Sequence, residues 1–245
     1  MRNQRKINNL YVFYRISDGS HKRQKCASKI ESLNNAVKVF KDANFIIFSD
    51  GISGEVADEV KRVSESNKNV IFRQIQAKGN SVSFRHIYEE AMKLQDNDFV
   101  YFLEEDYLHL SDSYNLLKEF AERNYTDYVT LYDHPDKYEE HEISCATNPY
   151  CRELGEKTVL FRTPNHHWNI TNSTTMTFGA FVDTLKRDKS VFWKYTQDNI
   201  PLDFPLFLEL GKEGRQLSSP VPSLSTHCDS EALAPIINWE EVKHE

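Results

Sequence analysis

The sequence predicts an α/β protein: a mostly parallel sheet flanked by helices, Rossmann-like, with a smaller second portion. Three observations carry this. Short aromatic and β-branched runs alternate with amphipathic stretches from residue 10 to residue 131, the connections between them are short, and the regularity stops after Asp133. Strand–helix alternation with short connections means βαβ units and a parallel sheet. Right-handed crossovers then place the strand C-termini along one edge, where open α/β sheets bind ligands.

The elements follow in order. Leu10–Arg15 (LYVFYR) is a buried strand by composition. Ala27–Asp42 sets Ile30, Leu33, Ala36, Val37 and Phe40 at helical spacing. Phe45–Phe48 (FIIF) is a second strand, closed by Asp50-Gly51, and Glu55–Ser66 is an amphipathic helix. Val70–Gln74 is a third strand, and Val82–Leu94 a helix with Ile87, Ala91 and Leu94 on one stripe. Phe99–Leu103 (FVYFL) is a fourth strand running straight into Glu104-Glu105-Asp106. Ser113–Asn124 is a helix with Asp112 as its N-cap, and Tyr128–Leu131 a further strand. Beyond the irregular, charged stretch Asp133–Glu156, strands are expected at Thr158–Arg162 and Ile170–Thr175. Helices are expected at Phe178–Arg187 and Leu202–Leu210.

Composition narrows the function. A chain of 245 residues buries roughly 70–75% of its unfolded surface, enough for a core without staples. Thirty basic against thirty-seven acidic residues leave a net charge of −7, which argues against nucleic acid as the partner. No apolar run reaches the roughly 20 residues of a spanning helix, and none forms a signal-peptide core. A cytoplasmic protein with free thiols at Cys26, Cys145, Cys151 and Cys228 is expected, a Cys145–Cys151 bridge being the alternative for that pair. The sequence contains no dinucleotide-binding G-x-G-x-x-G after the first strand, no P-loop, no H-E-x-x-H and no G-x-S-x-G.

The densest chemistry lies at the fourth strand's end. Three adjacent carboxylates, Glu104, Glu105 and Asp106, repel one another unless a cation intervenes. Mg²⁺ and Mn²⁺ prefer such oxygens and keep positions open for phosphate. The alternative is a solvated acidic turn. With a strand's period of two, Glu104 and Asp106 would share a face and Glu105 would point away.

Four strand ends in order resemble one family. Tyr14-Arg15, Phe48-Ser49-Asp50-Gly51-Ile52-Ser53, Gly79-Asn80-Ser81-Val82-Ser83-Phe84-Arg85 and Phe102-Leu103-Glu104-Glu105-Asp106 match the pattern of nucleotide-sugar glycosyltransferases of the GT-A fold, close to the large "family 2" group. The match covers roughly residues 10–110. It departs at Glu104, where the family's D-x-D begins with Asp, and it lacks the Q-x-x-R-W segment of processive synthases. The resemblance implies a GT-A type domain over residues 1–245, with a donor-binding half at about 1–132 and an acceptor-binding half and tail at about 133–245.

The resemblance also implies roles. Tyr14, Arg15, Asp50, Gly79, Arg85, Glu104 and Glu105 would line the nucleotide-sugar site, with Arg15 and Arg85 suited to phosphate by their bidentate forks. Asp50 is otherwise a turn former, Gly79 a plain turn and Arg85 a surface partner of Glu89. Asp106 and the distant His227 would hold Mn²⁺ or Mg²⁺. Asp203, in Ile200-Pro201-Leu202-Asp203-Phe204-Pro205, would be the base that deprotonates the acceptor, a helix cap, or both. His166-His167-Trp168 joins an aromatic to polar rings and would line the acceptor site, or else its Trp packs on the core.

The expectation is thus an inverting, non-processive hexosyltransferase without a transmembrane segment. It would carry one sugar from a nucleoside diphosphate donor, UDP-linked, to a glycan hydroxyl in glycan biosynthesis. Two alternatives remain: a non-catalytic sugar-nucleotide-binding module, and a sugar-phosphate nucleotidyltransferase. The second needs a basic Gly-rich loop after the first strand, which Ser17–Arg23 only faintly resembles.

Overall fold

The computed structural model describes residues 2–19, 26–138, 151–152 and 155–243. In chain order the strands are β1 (Leu10–Ser17), β2 (Asn44–Asp50), β3 (Val70–Ile75), β4 (Phe99–Glu104), β5 (Tyr107–His109), β6 (Tyr128–Val129), β7 (Cys151–Arg152), β8 (Gly155–Glu156), β9 (Leu160–Arg162), β10 (His167–Thr171), β11 (Phe178–Phe181), β12 (Leu217–Val221) and β13 (Ser225–His227). The helices are α1 (Lys29–Val39), α2 (Gly54–Ser66), α3 (Asn80–Met92), α4 (Ser113–Arg123), α5 (Val182–Tyr195), α6 (Asp203–Lys212) and α7 (Trp239–Val242). Among the described residues the main sheet has nine strands, ordered β3-β2-β1-β4-β11-β6-β12-β10-β9. β1 to β4 pair in parallel, and β11 runs antiparallel beside β4. The sheet therefore continues from the first half of the chain into the second.

The period of two sorts the strand residues between the faces. Val12, Tyr14 and Ile16 of β1, with Tyr101 and Leu103 of β4, pack beneath α1, α2, α4 and α7 through Leu33, Val60, Phe120 and Trp239. Phe13 of β1, with Val100 and Phe102 of β4, packs on the other face against Phe84 and Tyr88 of α3, Phe192 of α5 and Phe207 of α6. β1, β2 and β4 are buried on both faces, which is why they read as continuous apolar runs.

The helix starts differ in how they are made. Ser28 caps α1 with a reciprocal pair: its hydroxyl accepts from the Glu31 N–H, and the Glu31 carboxylate accepts from the Ser28 N–H. Asp112 precedes α4 as expected, but its side chain makes no capping hydrogen bond. The largest correction concerns Phe178–Phe181. It is a strand inserted between β4 and β6 rather than the start of a helix, which begins only at Val182. All four residues are buried, so no amphipathic signal separates strand from helix. Gly179 is needed there: a Cβ would stand 2.7 Å from the Phe99 ring. The strands expected at Thr158–Arg162 and Ile170–Thr175 occur as Leu160–Arg162 and His167–Thr171.

β5 and β13 form a separate antiparallel ribbon just beyond the acidic strand end, with Tyr107 opposite His227 and His109 opposite Ser225. It starts just past the end of β4 and turns back onto the α1 side of the sheet, where His109 Nε2 lies 3.0 Å from the Tyr101 hydroxyl. Among the described residues no helix is long and apolar enough to cross a membrane. Cys145 falls outside the described residues, and with it the Cys145–Cys151 pairing.

Candidate functional site

The site assembles at the C-terminal edge of β1, β2 and β4. Arg15 and Glu104 are register partners across β1 and β4, and their side chains form an ion pair. Arg15 also donates through Nη1 to the Asn80 carbonyl at 3.1 Å, fastening the strand end to the start of α3. The Glu104 N–H donates to Thr177 Oγ1 at 3.2 Å, which joins β4 to the approach of β11. Arg15 points toward α3 because it alternates with Tyr14, which faces the opposite layer.

The chain leaves β4 at Glu104, and the next two acids part company. Glu105 is buried and accepts from the Ser17 N–H at 2.7 Å while pairing with Lys29 Nζ at 2.9 Å. Burial raises its pKa, and Lys29 opposes the rise. Asp106 turns to the ribbon, where its Oδ2 lies 3.0 Å from His227 Nε2. The Tyr107 ring packs 5.3 Å from the His227 ring, and its hydroxyl bonds Thr175 Oγ1 at 2.6 Å. The structure thus brings together Asp106 and His227, the two residues singled out as a metal pair. A carboxylate oxygen and an imidazole nitrogen at this separation can share one divalent cation. Among the described residues no group of three or more His, Cys, Asp or Glu is placed to hold a metal ion.

Asp203 is half-buried at the first position of α6, and its Oδ1 accepts the Phe204 N–H at 2.8 Å. Burial pushes its pKa up to about 6, the Phe204 hydrogen bond opposes this, and the negative charge of Glu104 adds to it. His134 acts in the opposite sense, so Glu104, His134 and Asp203 share one electrostatic environment. Sequence reading missed His134. Its Nδ1 accepts from the Asp136 N–H at 3.2 Å and lies 2.9 Å from Asp136 Oδ1, while Ser173 Oγ donates to Asp136 Oδ2 at 2.7 Å. The detectable signal was the His-Pro-Asp run shortly after β6.

Other expected residues take supporting positions. Asp50 accepts from the N–H groups of Ala77 and Lys78 at 3.0 and 3.1 Å, which shapes the turn into α3. Gly79 has φ +149°, a conformation that favours glycine. Arg85 donates to Thr196 Oγ1 at 2.8 Å and the Trp193 carbonyl at 3.1 Å, so it clamps the end of α5 and is not Glu89's partner. Glu89 instead pairs with Lys189.

Two expectations are corrected outright. Tyr14 is completely buried in the core, with only its hydroxyl reaching the Glu105 carbonyl at 3.4 Å, so it offers no ligand surface. Trp168 is likewise fully buried, 4.2 Å from the Phe120 ring, with Nε1 donating to Thr163 Oγ1. It therefore cannot stack on a sugar. His166 bonds the Pro222 carbonyl at 2.9 Å, and His167 is exposed. Their strand lies four places from β4 in the sheet, about 19 Å at the usual strand spacing. A separate cavity of ≈ 580 Å³ between α6 and β10, lined by Phe207, Gly211, Ile170 and Leu217, sits at the opposite end of the sheet, where β6 and β12 begin.

No protein-family model matches the chain, and no curated protein matches its sequence. Solved structures do. The crystal structure of S. aureus TarS 1-349 matches at TM-score 0.52 and 14% identity, over 86% of this chain and 57% of that one. A second S. aureus TarS structure matches at TM-score 0.52 and 11% identity, over 86% of this chain and 35% of that one. A mannosyltransferase from Pyrobaculum calidifontis, PcManGT in complex with GDP-Man and Mn2+, matches at TM-score 0.49 and 9% identity, over 86% and 54%. The likeness to TarS concerns the fold, which is the GT-A type. The chain spans little more than half the length of TarS 1-349.

Proposed function

We propose that this chain is a metal-dependent glycosyltransferase. It would move one sugar, with inversion and without processivity, from a nucleoside diphosphate sugar, UDP-linked, to a glycan hydroxyl. The observation that carries this reading is the meeting of Asp106 and His227 at the C-terminal sheet edge, with the raised-pKa carboxyl of Asp203 in the electrostatic field of the adjacent Glu104. A GT-A fold supplies the frame, and this edge is where α/β sheets present ligands.

Asp106 and His227 fit a hard divalent cation, Mn²⁺ or Mg²⁺. They offer one oxygen and one nitrogen and leave the remaining positions for phosphate and water. When bound, such an ion would supply positive charge to offset that of a departing nucleoside diphosphate. The chain's own residues do the rest. Asp50 and Gly79 shape the turn that leads into α3, beside the nucleotide. Arg15, held by Glu104 and Asn80, keeps a cation at the same edge. Asp203 takes the proton of the acceptor hydroxyl at one carboxylate oxygen. Its pKa near 6 leaves it ionised at neutral pH and more basic than an ordinary aspartate. Glu104 contributes by disfavouring a second negative charge nearby, which sustains that basicity.

The test is a calorimetric titration of the full chain with UDP, UDP-sugars and GDP-sugars, with and without Mn²⁺. Binding of a nucleotide sugar that strengthens with Mn²⁺ is expected. No binding in either condition sinks the proposal. Transfer that survives Asp203→Asn removes Asp203 as the base.

A further inference from the structure

Cys26 and Cys228 lie far apart in sequence yet touch in the fold. The Cys26 N–H donates to the Cys228 carbonyl at 2.9 Å, which sets the two residues side by side. Both are free thiols; Cys228 is buried completely and Cys26 is partly buried. Contact with the Cys228 thiol lowers the Cys26 pKa, favouring the thiolate on the accessible member of the pair. Cys228 directly follows His227, and its N–H donates to the Asp106 carbonyl at 2.7 Å. Cys26 lies two residues before the Ser28 cap of α1.

We propose that Cys26 and Cys228 are a modification site, a dithiol that closes to a reversible disulfide and thereby couples oxidation to the Asp106–His227 pair. The oxidant class is a small-molecule disulfide. The Cys26 thiolate attacks one of its sulfurs and expels one small thiolate, leaving a mixed disulfide on Cys26. Cys228 then gives up its proton and attacks the Cys26 sulfur, releasing the second small thiol. Two protein thiols are oxidised to one S–S bond, and the small disulfide is reduced to two thiols. The more accessible member thus reacts first and the buried member resolves it.

Bond formation brings the two sulfurs to about 2.05 Å. Cys228 must move, and it is bonded through its backbone to both His227 and the Asp106 carbonyl. The oxidised form is therefore expected to bind Mn²⁺ about tenfold more weakly, the scale on which outer-shell changes act on metal affinity. This consequence rests on the function proposed above, whereas the disulfide does not.

The experiment treats the full chain with oxidised glutathione, alkylates the remaining thiols and maps peptides by mass spectrometry without reduction. A Cys26–Cys228 linked peptide is expected, lost on dithiothreitol treatment and absent from Cys26→Ser and Cys228→Ser. Recovery of both cysteines as alkylated thiols, or their pairing with Cys145 or Cys151, overturns the disulfide. Mn²⁺ titration of the reduced and oxidised forms reads the coupling, with Cys26→Ser expected to be indifferent to the oxidant. Equal Mn²⁺ affinity with the disulfide fully formed overturns the coupling. A reduced protein that binds no Mn²⁺ fails the metal reading instead and leaves the peptide-mapping result standing.

Discussion

Asp106 Oδ2 and His227 Nε2 stand 3.0 Å apart although 121 residues separate them in the chain. The β5–β13 ribbon makes this contact. It sets His227 opposite Tyr107, one residue past Asp106, at the edge where the parallel strands end. A contact built this way needs both the acidic turn and β13.

Replacing either partner should separate metal binding from folding. His227→Ala is expected to weaken Mn²⁺ binding by about tenfold or more. Its effect on stability should be small, because the His227 side chain is only partly buried. Calorimetric Mn²⁺ titration together with a melting curve checks both halves. Unchanged affinity would remove His227 from the site.

Asp203→Asn is expected to lower transfer by about 10²–10⁴-fold while sparing donor affinity. In the wild-type protein the base must be ionised, so transfer should rise with pH through about 6 and level off above it. The stability effect has the opposite sign. A folded pKa near 6 exceeds the unfolded value of about 3.9, so the native state holds this proton more tightly. The stability it contributes is fully present below about pH 4 and is lost as pH rises through 6. At pH 7.5 the asparagine variant should therefore melt no lower than wild type, with a gain on the order of 1–2 kcal/mol. A melting scan against pH for both proteins measures it.

Arg85→Ala should behave as a structural lesion. It removes two hydrogen bonds that hold the end of α5, from Nε to Thr196 and from Nη2 to the Trp193 carbonyl. A loss of about 1–3 kcal/mol is expected in urea unfolding, with donor affinity changed only a few-fold. A large loss of donor affinity in a protein of wild-type stability would return Arg85 to the ligand site.

The most deeply buried ion pair among the described residues joins Lys137 and Asp133. Lys137 Nζ pairs with Asp133 Oδ1 at 2.8 Å, both side chains being 2% exposed, and Tyr138 and Ser219 complete the network. Removing one partner strands a buried charge, so Lys137→Met should cost about 3–5 kcal/mol. The double variant Lys137→Met/Asp133→Leu should recover much of that loss, since no charge is then left unpaired. Denaturant titrations of the single and double variants decide it.

The strands and helices of the first half were legible because β1, β2 and β4 are apolar runs closed by turns, and α1 to α3 carry clear stripes. Phe178–Phe181 was not, since a strand buried on both faces and a buried helix look alike in sequence. Lys137 was illegible for a different reason. A lysine in a charged stretch reads as solvated, and only the fold encloses it with Asp133.

The amino-acid sequence by itself determined that a sheet edge would carry Arg15, Asp50 and the Glu104–Asp106 acids. Hydrophobic periodicity and turn residues are local, and they set where each strand stops. It also held the reason why Tyr14 and Arg15 diverge, because adjacent strand residues face opposite layers. Tertiary structure alone decided which groups meet. It sent Glu105 to Lys29 and Asp106 to His227, buried Trp168 against Phe120, set His134 near Asp203 and put Cys26 on Cys228. Those pairings join distant parts of the chain, and no local propensity encodes a contact whose partner is specified only by how the layers pack.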